Sequence, residues 1–256
     1  MHEGLRVQGR VLHALILREM TAQYGGTALG YLWGLLNPMV AILVLYAIFS
    51  NMHRISPPGI PLLMFLITSY LTYNYFMAAF SRASGAVQAN TALLNYPQVS
   101  PLDVLMGRYI LDALTYTLVL LIFTIIGVLV EGPYWPLHPG AAILTFWSAG
   151  LMGHGLGTIV GTLRPKIRSL DNIVSPILRL GFFISGVVFT AHMLPSWTLP
   201  YLDWNPLFHI TELMREAWFA SYESPFADFS YVGLILFFMT GAALVLERMG
   251  RRWITE

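Results

Sequence analysis

Few side chains in these 256 residues could carry chemistry, and their spacing fits none of the common reaction types. The single lysine is Lys166. A phosphate-cradling G-x-x-x-x-G-K loop needs glycine just before it, and Pro165 stands there, so no nucleotide-binding P-loop is encoded. No H-E-x-x-H, G-x-S-x-G or aspartate-rich diphosphate motif occurs. Without cysteine there is no disulfide, thiolate zinc site or thiol nucleophile. The seven histidines are scattered. His154 lies in a glycine-rich stretch and His209 in a Trp- and Pro-rich one, and both read as packing or interfacial residues rather than metal ligands. Two charges matter by position instead. Asp112 is the only Asp, Glu, Lys or Arg within Tyr109–Val130, and Arg179 the only one within Asn172–Leu202. A charge at the centre of a bilayer costs about 2.5–3.5 kcal/mol on insertion scales, so each needs a partner or water. One solution is a mutual ion pair. The other turns Arg179 toward a water-filled path and pairs Asp112 elsewhere, for example with Arg108 one turn away.

The elements that must hold these charges follow from composition. Hydrophobic residues make up 56% of the chain and charged residues 11%, with a mean hydropathy of +0.64, whereas soluble domains carry about a quarter charged residues. Thr21–Met52, Ile55–Ser81, Gly132–Leu163 and Phe229–Leu246 contain no Asp, Glu, Lys or Arg. With the two single-charge stretches, they predict an all-α membrane protein of six transmembrane helices, near 31–51, 61–81, 102–130, 140–163, 172–191 and 229–248. Residues 1–29 form an N-terminal cytoplasmic and interfacial helix ahead of a transmembrane domain at 30–250. The charged first 20 residues lack an apolar core, so no cleavable leader is expected. Six spans with both termini in the cytoplasm put Arg6, Arg10, Arg18, Arg82, Arg108, Arg164, Lys166, Arg168, Arg248, Arg251 and Arg252 inside, and leave Arg54 and Arg215 outside. The opposite face is acidic, with Glu131, Asp203, Glu212, Glu216, Glu223 and Asp228.

Local signals refine the outline. Residues 5–20 carry Arg6, Arg10 and His13 on one helical face, a moderately amphipathic interfacial helix. Asn37-Pro38 predicts a kink in the first span. Residues 83–101, with Gln88, Asn90, Asn95, Pro97 and Gln98, form a polar cytoplasmic loop, and Ser100-Pro101-Leu102-Asp103 starts the third span. Gly153, Gly157 and Gly161 form a small-residue strip for close helix packing, within the protomer or at a dimer seam. Residues 192–228 form an outer re-entrant region anchored by aromatics. There Asn205-Pro206 caps a helix whose Leu207, Ile210, Met214, Ala217 and Trp218 make one apolar stripe, with Glu212, Arg215 and Glu216 outside it.

Three extended segments also carry a resemblance. QGRVLHALILREMTAQYGGTALGYLWGLLNP at 8–38 resembles the opening motif of type-2 ABC-transporter permeases that export polysaccharides. LNYPQVSPLDVLMGRYILDALTY at 94–116 and LPSWTLPYLDWNPLFHITELMREAWFASY at 194–222 resemble the capsular polysaccharide export branch, the KpsM-type permeases. The resemblance implies a permease subunit of the bacterial inner membrane, not an enzyme, without a cofactor of its own. It implies a second copy of the chain and two ATPase subunits that bind ATP and magnesium. It implies a lipid-anchored, often acidic polysaccharide as substrate, and a periplasmic adaptor and outer-membrane export proteins beyond; nucleic acid plays no part. It places Arg18, Glu19, Gln23, Asn90, Leu94, Asn95 and Tyr96 at the ATPases, and Trp204, Asn205, Pro206, His209, Glu212 and Arg215 in the outer re-entrant region. Arg179, Tyr70, Tyr73 and Asp112 are then candidates for the substrate path, the tyrosines as flat faces for sugar rings. The alternatives are a permease for O-antigen or a teichoic acid, and a membrane enzyme acting on lipid-linked sugars. The enzyme would need a cluster of acids or histidines that Asp112 alone does not supply.

Overall fold

The computed structural model describes residues 16–21, 28–52, 57–89, 101–167 and 169–254, and all regular structure among them is helical. After a helical stretch at 16–21 come α1 (Ala28–Asn51), α2 (Leu62–Ala89), α3 (Pro101–Glu131), α4 (Pro139–Leu163), α5 (Leu170–Ile184), α6 (Pro206–Trp218) and α7 (Phe229–Ile254). Two short 3₁₀ turns, Ala191–Met193 and Ser196–Tyr201, lie between α5 and α6. By length and composition four helical segments can cross a bilayer: Leu62–Ala86, Val104–Glu131, Pro139–Leu163 and Phe229–Gly250. Leu36–Asn51 and Asn172–Ile184 are shorter apolar helices. The helix α1 continues through Pro38.

The centre of the bundle is α2, which packs against α1, α3, α4 and α6. Met64, Leu66, Ile67, Leu71 and Tyr75 have no exposed surface, while the outward side of α3 bares Leu114 and Leu118 and α7 bares Phe237 and Phe238. Apolar side chains facing outward along whole helices match hydrocarbon as the surrounding solvent. The closest packing is between α2 and α4. Gly153, Gly157 and Gly161 meet the carbonyl oxygens of Phe76, Phe80 and Ser84, a step of four on one helix matching a step of four on the other. The strip therefore serves packing within the chain, since a β-carbon at any of the three would overlap α2 backbone.

Two element boundaries differ from the sequence reading. The segment expected as a loop from residue 83 begins as helix: α2 runs on for two more turns to Ala89, which carries Arg82 and Ser84 inside the bundle. The rest of that segment, including Asn90, Leu94, Asn95 and Tyr96, lies outside the described residues, as does Gln23. The fifth helix ends at Ile184 rather than near 191. Gly186 then adopts a left-handed backbone (φ +68°) that a helix cannot continue through.

The two ends of the bundle differ in charge. At one end Glu131, on the last turn of α3, accepts the Leu63 and Met64 amides at 2.9 and 3.0 Å, one on each carboxylate oxygen. These are orphan N–H groups of the α2 start, and a carboxylate suits the positive end of the helix. The same end holds Trp218, whose indole donates to Tyr134 O at 2.9 Å, and His138, whose amide donates to Ala217 O at 2.9 Å. At the other end Arg82, Arg108 and Arg164 gather round the foot of α2.

Candidate functional site

Helix α5 is built unlike the others. Among the described residues it makes the fewest close backbone approaches to neighbouring helices. Its inner side carries Leu178, buried, with Val174 and Phe182 partly buried. One exposed flank is apolar, with Ile173, Ile177, Leu180 and Ile184. The other carries Asn172, Ser175 and Arg179, all exposed and spaced at i, i+3 and i+7, so that they share one face of about two turns. Among the described residues Arg179 has no ion pair or hydrogen bond within the chain.

The mutual Asp112–Arg179 pair that sequence permitted does not form. Asp112 is buried on α3 and pairs with Arg82 of α2, while Arg108 turns its Nε to Glu19 Oε1 at 2.8 Å. Both of the partners considered for Asp112 are thus corrected. The reason is the extension of α2, since a span ending at 81 would have left Arg82 in a loop. This arrangement places Asp112 in a structural seam between α2 and α3, away from Arg179.

The two tyrosines also change role. The Tyr73 hydroxyl donates to Leu178 O of α5, and both Tyr70 and Tyr73 meet the Phe182 ring edge-on, at 6.3 and 5.4 Å. Tyr73 is buried, so it holds α5 to α2 rather than presenting a free ring face. Tyr70 is partly buried beside it.

The end of the bundle that bears Glu131 contains a fully buried polar cluster built on α6. Asn205 caps the helix as expected, its side chain accepting the Leu207 amide at 3.0 Å, and Pro206 opens the first turn. Glu212 and Arg215 lie off the apolar stripe, as expected, yet both are entirely buried, because α6 is wedged between α2, α4 and α7 and is covered nearly all round. Arg215 Nη1 meets Glu212 Oε1 at 2.6 Å, Nη2 donates to Gly186 O, and the guanidinium lies 4.7 Å over the Phe65 ring. Tyr222 Oη and Ser224 Oγ donate to Glu212 Oε2 at 2.5 and 3.1 Å. Burial pulls the Arg215 guanidinium down from its ordinary range, and the Glu212 carboxylate resists that shift. Burial, helped by the Glu212 charge, pushes the Tyr222 phenol up, so it remains a donor. Glu212 thus joins α6 to the chain after it, and Arg215 joins α6 to the turn after α5.

His209 is a structural residue here, in line with the packing role expected for it. Its Nδ1 accepts the Asp228 amide at 3.1 Å, so Nε2 carries the proton and donates to Asp203 O at 2.5 Å. His154 is buried against the Tyr109 ring. Trp204, exposed, donates its indole N–H to Tyr201 O at 2.6 Å and accepts Tyr231 Oη on its own carbonyl at 2.7 Å. A cavity of about 530 Å³ opens beside α6, lined by His138, Thr145, Glu216, Tyr222 and Glu223 among others. Burial first, and then the charges of Glu223 and Glu212, push the Glu216 carboxyl up. Among the described residues no group of His, Asp and Glu could hold a metal ion. Sequence reasoning missed Asn172 and Ser175, which the i, i+3, i+7 spacing with Arg179 could have revealed, and also Phe65, Gly186 and Ser224, which no local spacing marks.

Comparison with known proteins gives this geometry a family. The chain is 30% identical over 246 residues to the polysialic acid transport protein KpsM of Escherichia coli, covering 96% of this chain and 95% of that one. It is 28% identical over 229 residues to the capsule polysaccharide export inner-membrane protein CtrC of Neisseria meningitidis serogroup A, covering 87% and 86%. It is 25% identical over 243 residues to the O-antigen export system permease protein RfbA of Klebsiella pneumoniae, covering 90% and 85%. The family model described as ABC-2 type transporter matches residues 10–219, which takes in α1 to α6 and the buried Glu212–Arg215 cluster, and the chain belongs to that family.

Proposed function

We propose that this chain is the membrane permease of an ATP-driven exporter that moves a lipid-anchored capsular polysaccharide outward across the bacterial inner membrane. The observation that carries the reading to specific residues is the exposed Asn172, Ser175 and Arg179 face on the loosely held α5. Hydrocarbon is a poor cover for a guanidinium, so that face belongs on a wet path. Hydroxyl, amide and guanidinium groups in line offer hydrogen bonds to sugar hydroxyls and charge to an acidic polymer. The names of the relatives support the substrate class: polysialic acid is a polyanion, and capsule export recurs among them. The O-antigen permease relative keeps an O-antigen glycan as the second reading.

In this reading two copies enclose the path and two ATPase chains bind ATP and magnesium on the cytoplasmic side. An adaptor and an outer-membrane channel carry the polymer onward. The arginine-rich end of the bundle faces the cytoplasm, with both termini, and the Glu131 end faces outward. The chain then crosses six times, and residues 192–228 form the re-entrant region. Because the chain lacks cysteine, single cysteines report this directly. Cysteine at Ser196 or Glu223 should react with an impermeant thiol reagent in intact cells, and cysteine at Ile167 should not; all three positions are exposed. Labelling at Ile167 from outside would reverse the orientation.

The test of the substrate path is the Arg179 series, read as surface polysaccharide per cell at matched protein level. Arg179→Lys should export, whereas Arg179→Gln should insert normally and export about tenfold less or lower, the loss expected when a charged hydrogen bond goes. Export by Arg179→Gln at the native rate would remove Arg179 from the path.

A further inference from the structure

We infer that Glu19 and Arg108 are a positioning pair that locks the interfacial helix to α3, so that ATPase motion reaching that helix moves the α2–α3 hairpin as one body. The inference rests on the exporter reading above. Within residues 16–21, Leu17, Arg18 and Thr21 face outward, while Glu19 turns inward. The resemblance put Glu19 at the ATPases, but its carboxylate meets Arg108 Nε at 2.8 Å, with the two side chains only 15% and 11% exposed. Glu19 is therefore spent on the bundle, while Leu17 and Thr21 lie on the exposed side of the same stretch.

Arg108 does not stop at Glu19. Its Nη1 donates to the Arg82 carbonyl of α2 at 2.9 Å. In return Arg82 of α2 pairs with Asp112 of α3, one turn further along, and its guanidinium lies 5.6 Å from the Tyr116 ring. Tyr116 donates to Asn74 of α2 at 3.2 Å and stacks on Tyr75, which tilts against Phe146 of α4. Arg164, at the end of α4, donates to Ser84 O at 3.3 Å. The seam thus runs from the interfacial helix through α3, α2 and α4 without leaving side chains that touch. Within it, Glu19–Arg108 and Asp112–Arg82 are two charge-balanced pairs. Asp112–Arg82 ties helices joined by one hairpin. Glu19–Arg108 ties elements 89 positions apart in the chain.

The test uses the full chain assembled with its ATPase. Spin labels on cysteines at Leu17 and Met106, both about half exposed, report the distance between the interfacial helix and α3. In the otherwise unmodified chain that distance should stay fixed when ATP and vanadate are added. In Glu19→Gln it should broaden or shift, and export should fall about tenfold more than ATP turnover does. The exchange Glu19→Arg with Arg108→Glu should export more than either single variant but less than the unmodified chain, because the Arg82 carbonyl loses its donor, and it should restore the fixed label distance. A label distance that changes with ATP in the unmodified chain, an exchange no better than the single variants, or a Glu19→Gln chain that loses its ATPase would each overturn the pair's role. Failure of the unmodified chain to hold any ATPase would instead overturn the exporter reading, and the Glu19–Arg108 distance could still be measured.

Discussion

Arg215→Met should leave almost no folded protein in the membrane, the largest single-residue loss expected here. Arg215 has no exposed surface, and its removal strands the Glu212 carboxylate in an apolar interior with Tyr222, Ser224 and the Ala191 amide as neutral partners. Leaving one partner of a buried ion pair alone costs about 3–5 kcal/mol, comparable with the whole stability of many domains. The Gly186 carbonyl loses its donor in the same step, so the turn after α5 is left with its bonds to Asn205 and Thr211 alone as polar ties to α6 among those described. Arg215→Lys should rescue little, because one ammonium cannot meet Glu212 and Gly186 while lying flat over Phe65. The double variant Glu212→Met with Arg215→Met should recover much of the loss, since no charge is then left unpaired. The amount of monodisperse detergent-extracted protein and its thermal midpoint by tryptophan fluorescence decide the matter. A stable Arg215→Met single variant would mean that water or lipid headgroups reach Glu212.

Gly157→Leu should come next, again as failure to accumulate. Its β-carbon would overlap Phe80 O and crowd the Ala83 side chain, and backbone cannot rotate aside as a flexible side chain can. The α2–α4 contact would have to open along its length, with loss of the Tyr75–Phe146 packing above it. Overpacking of this kind costs about 1–3 kcal/mol where side chains yield, and more where only backbone is available. Gly157→Ala should give a graded, smaller loss. Gly241 on α7 is the control, since a β-carbon there meets nothing within 4 Å, and Gly241→Leu should accumulate normally. Equal tolerance at 157 and 241 would contradict the close α2–α4 contact.

The contrast between these residues explains what sequence could and could not reveal. Gly153, Gly157 and Gly161 are legible because helical spacing turns them into a strip without reference to anything else. Asn205 and Pro206 are legible for the same reason, since a cap acts within its own turn. Arg82 was misplaced because the end of a span was judged by hydropathy. Ala83–Ala89 is polar enough to look like loop, yet it stays helical where α3 and α4 cover it. Glu212 and Arg215 were legible only as charges outside the apolar stripe of α6. Their burial depends on partners at 186, 222 and 224, which no local pattern brings together. Of the candidate path, Arg179 was visible as an isolated charge, but the burial of Tyr73 required knowing that α5 lies across it.

The carboxylate of Glu131 has a consequence for how the chain is made. The amides of Leu63 and Met64 leave the ribosome 68 and 67 residues ahead of the group that receives them. Until α3 has been threaded across and its last turn has emerged, the leading end of α2 depends on water or the insertion machinery for those two bonds. Release of α2 sideways into lipid before that moment would bury orphan N–H groups at about 1–3 kcal/mol each. The helices α2 and α3 therefore favour leaving the translocation channel together as a finished hairpin, and a Glu131→Gln chain should be slower to do so.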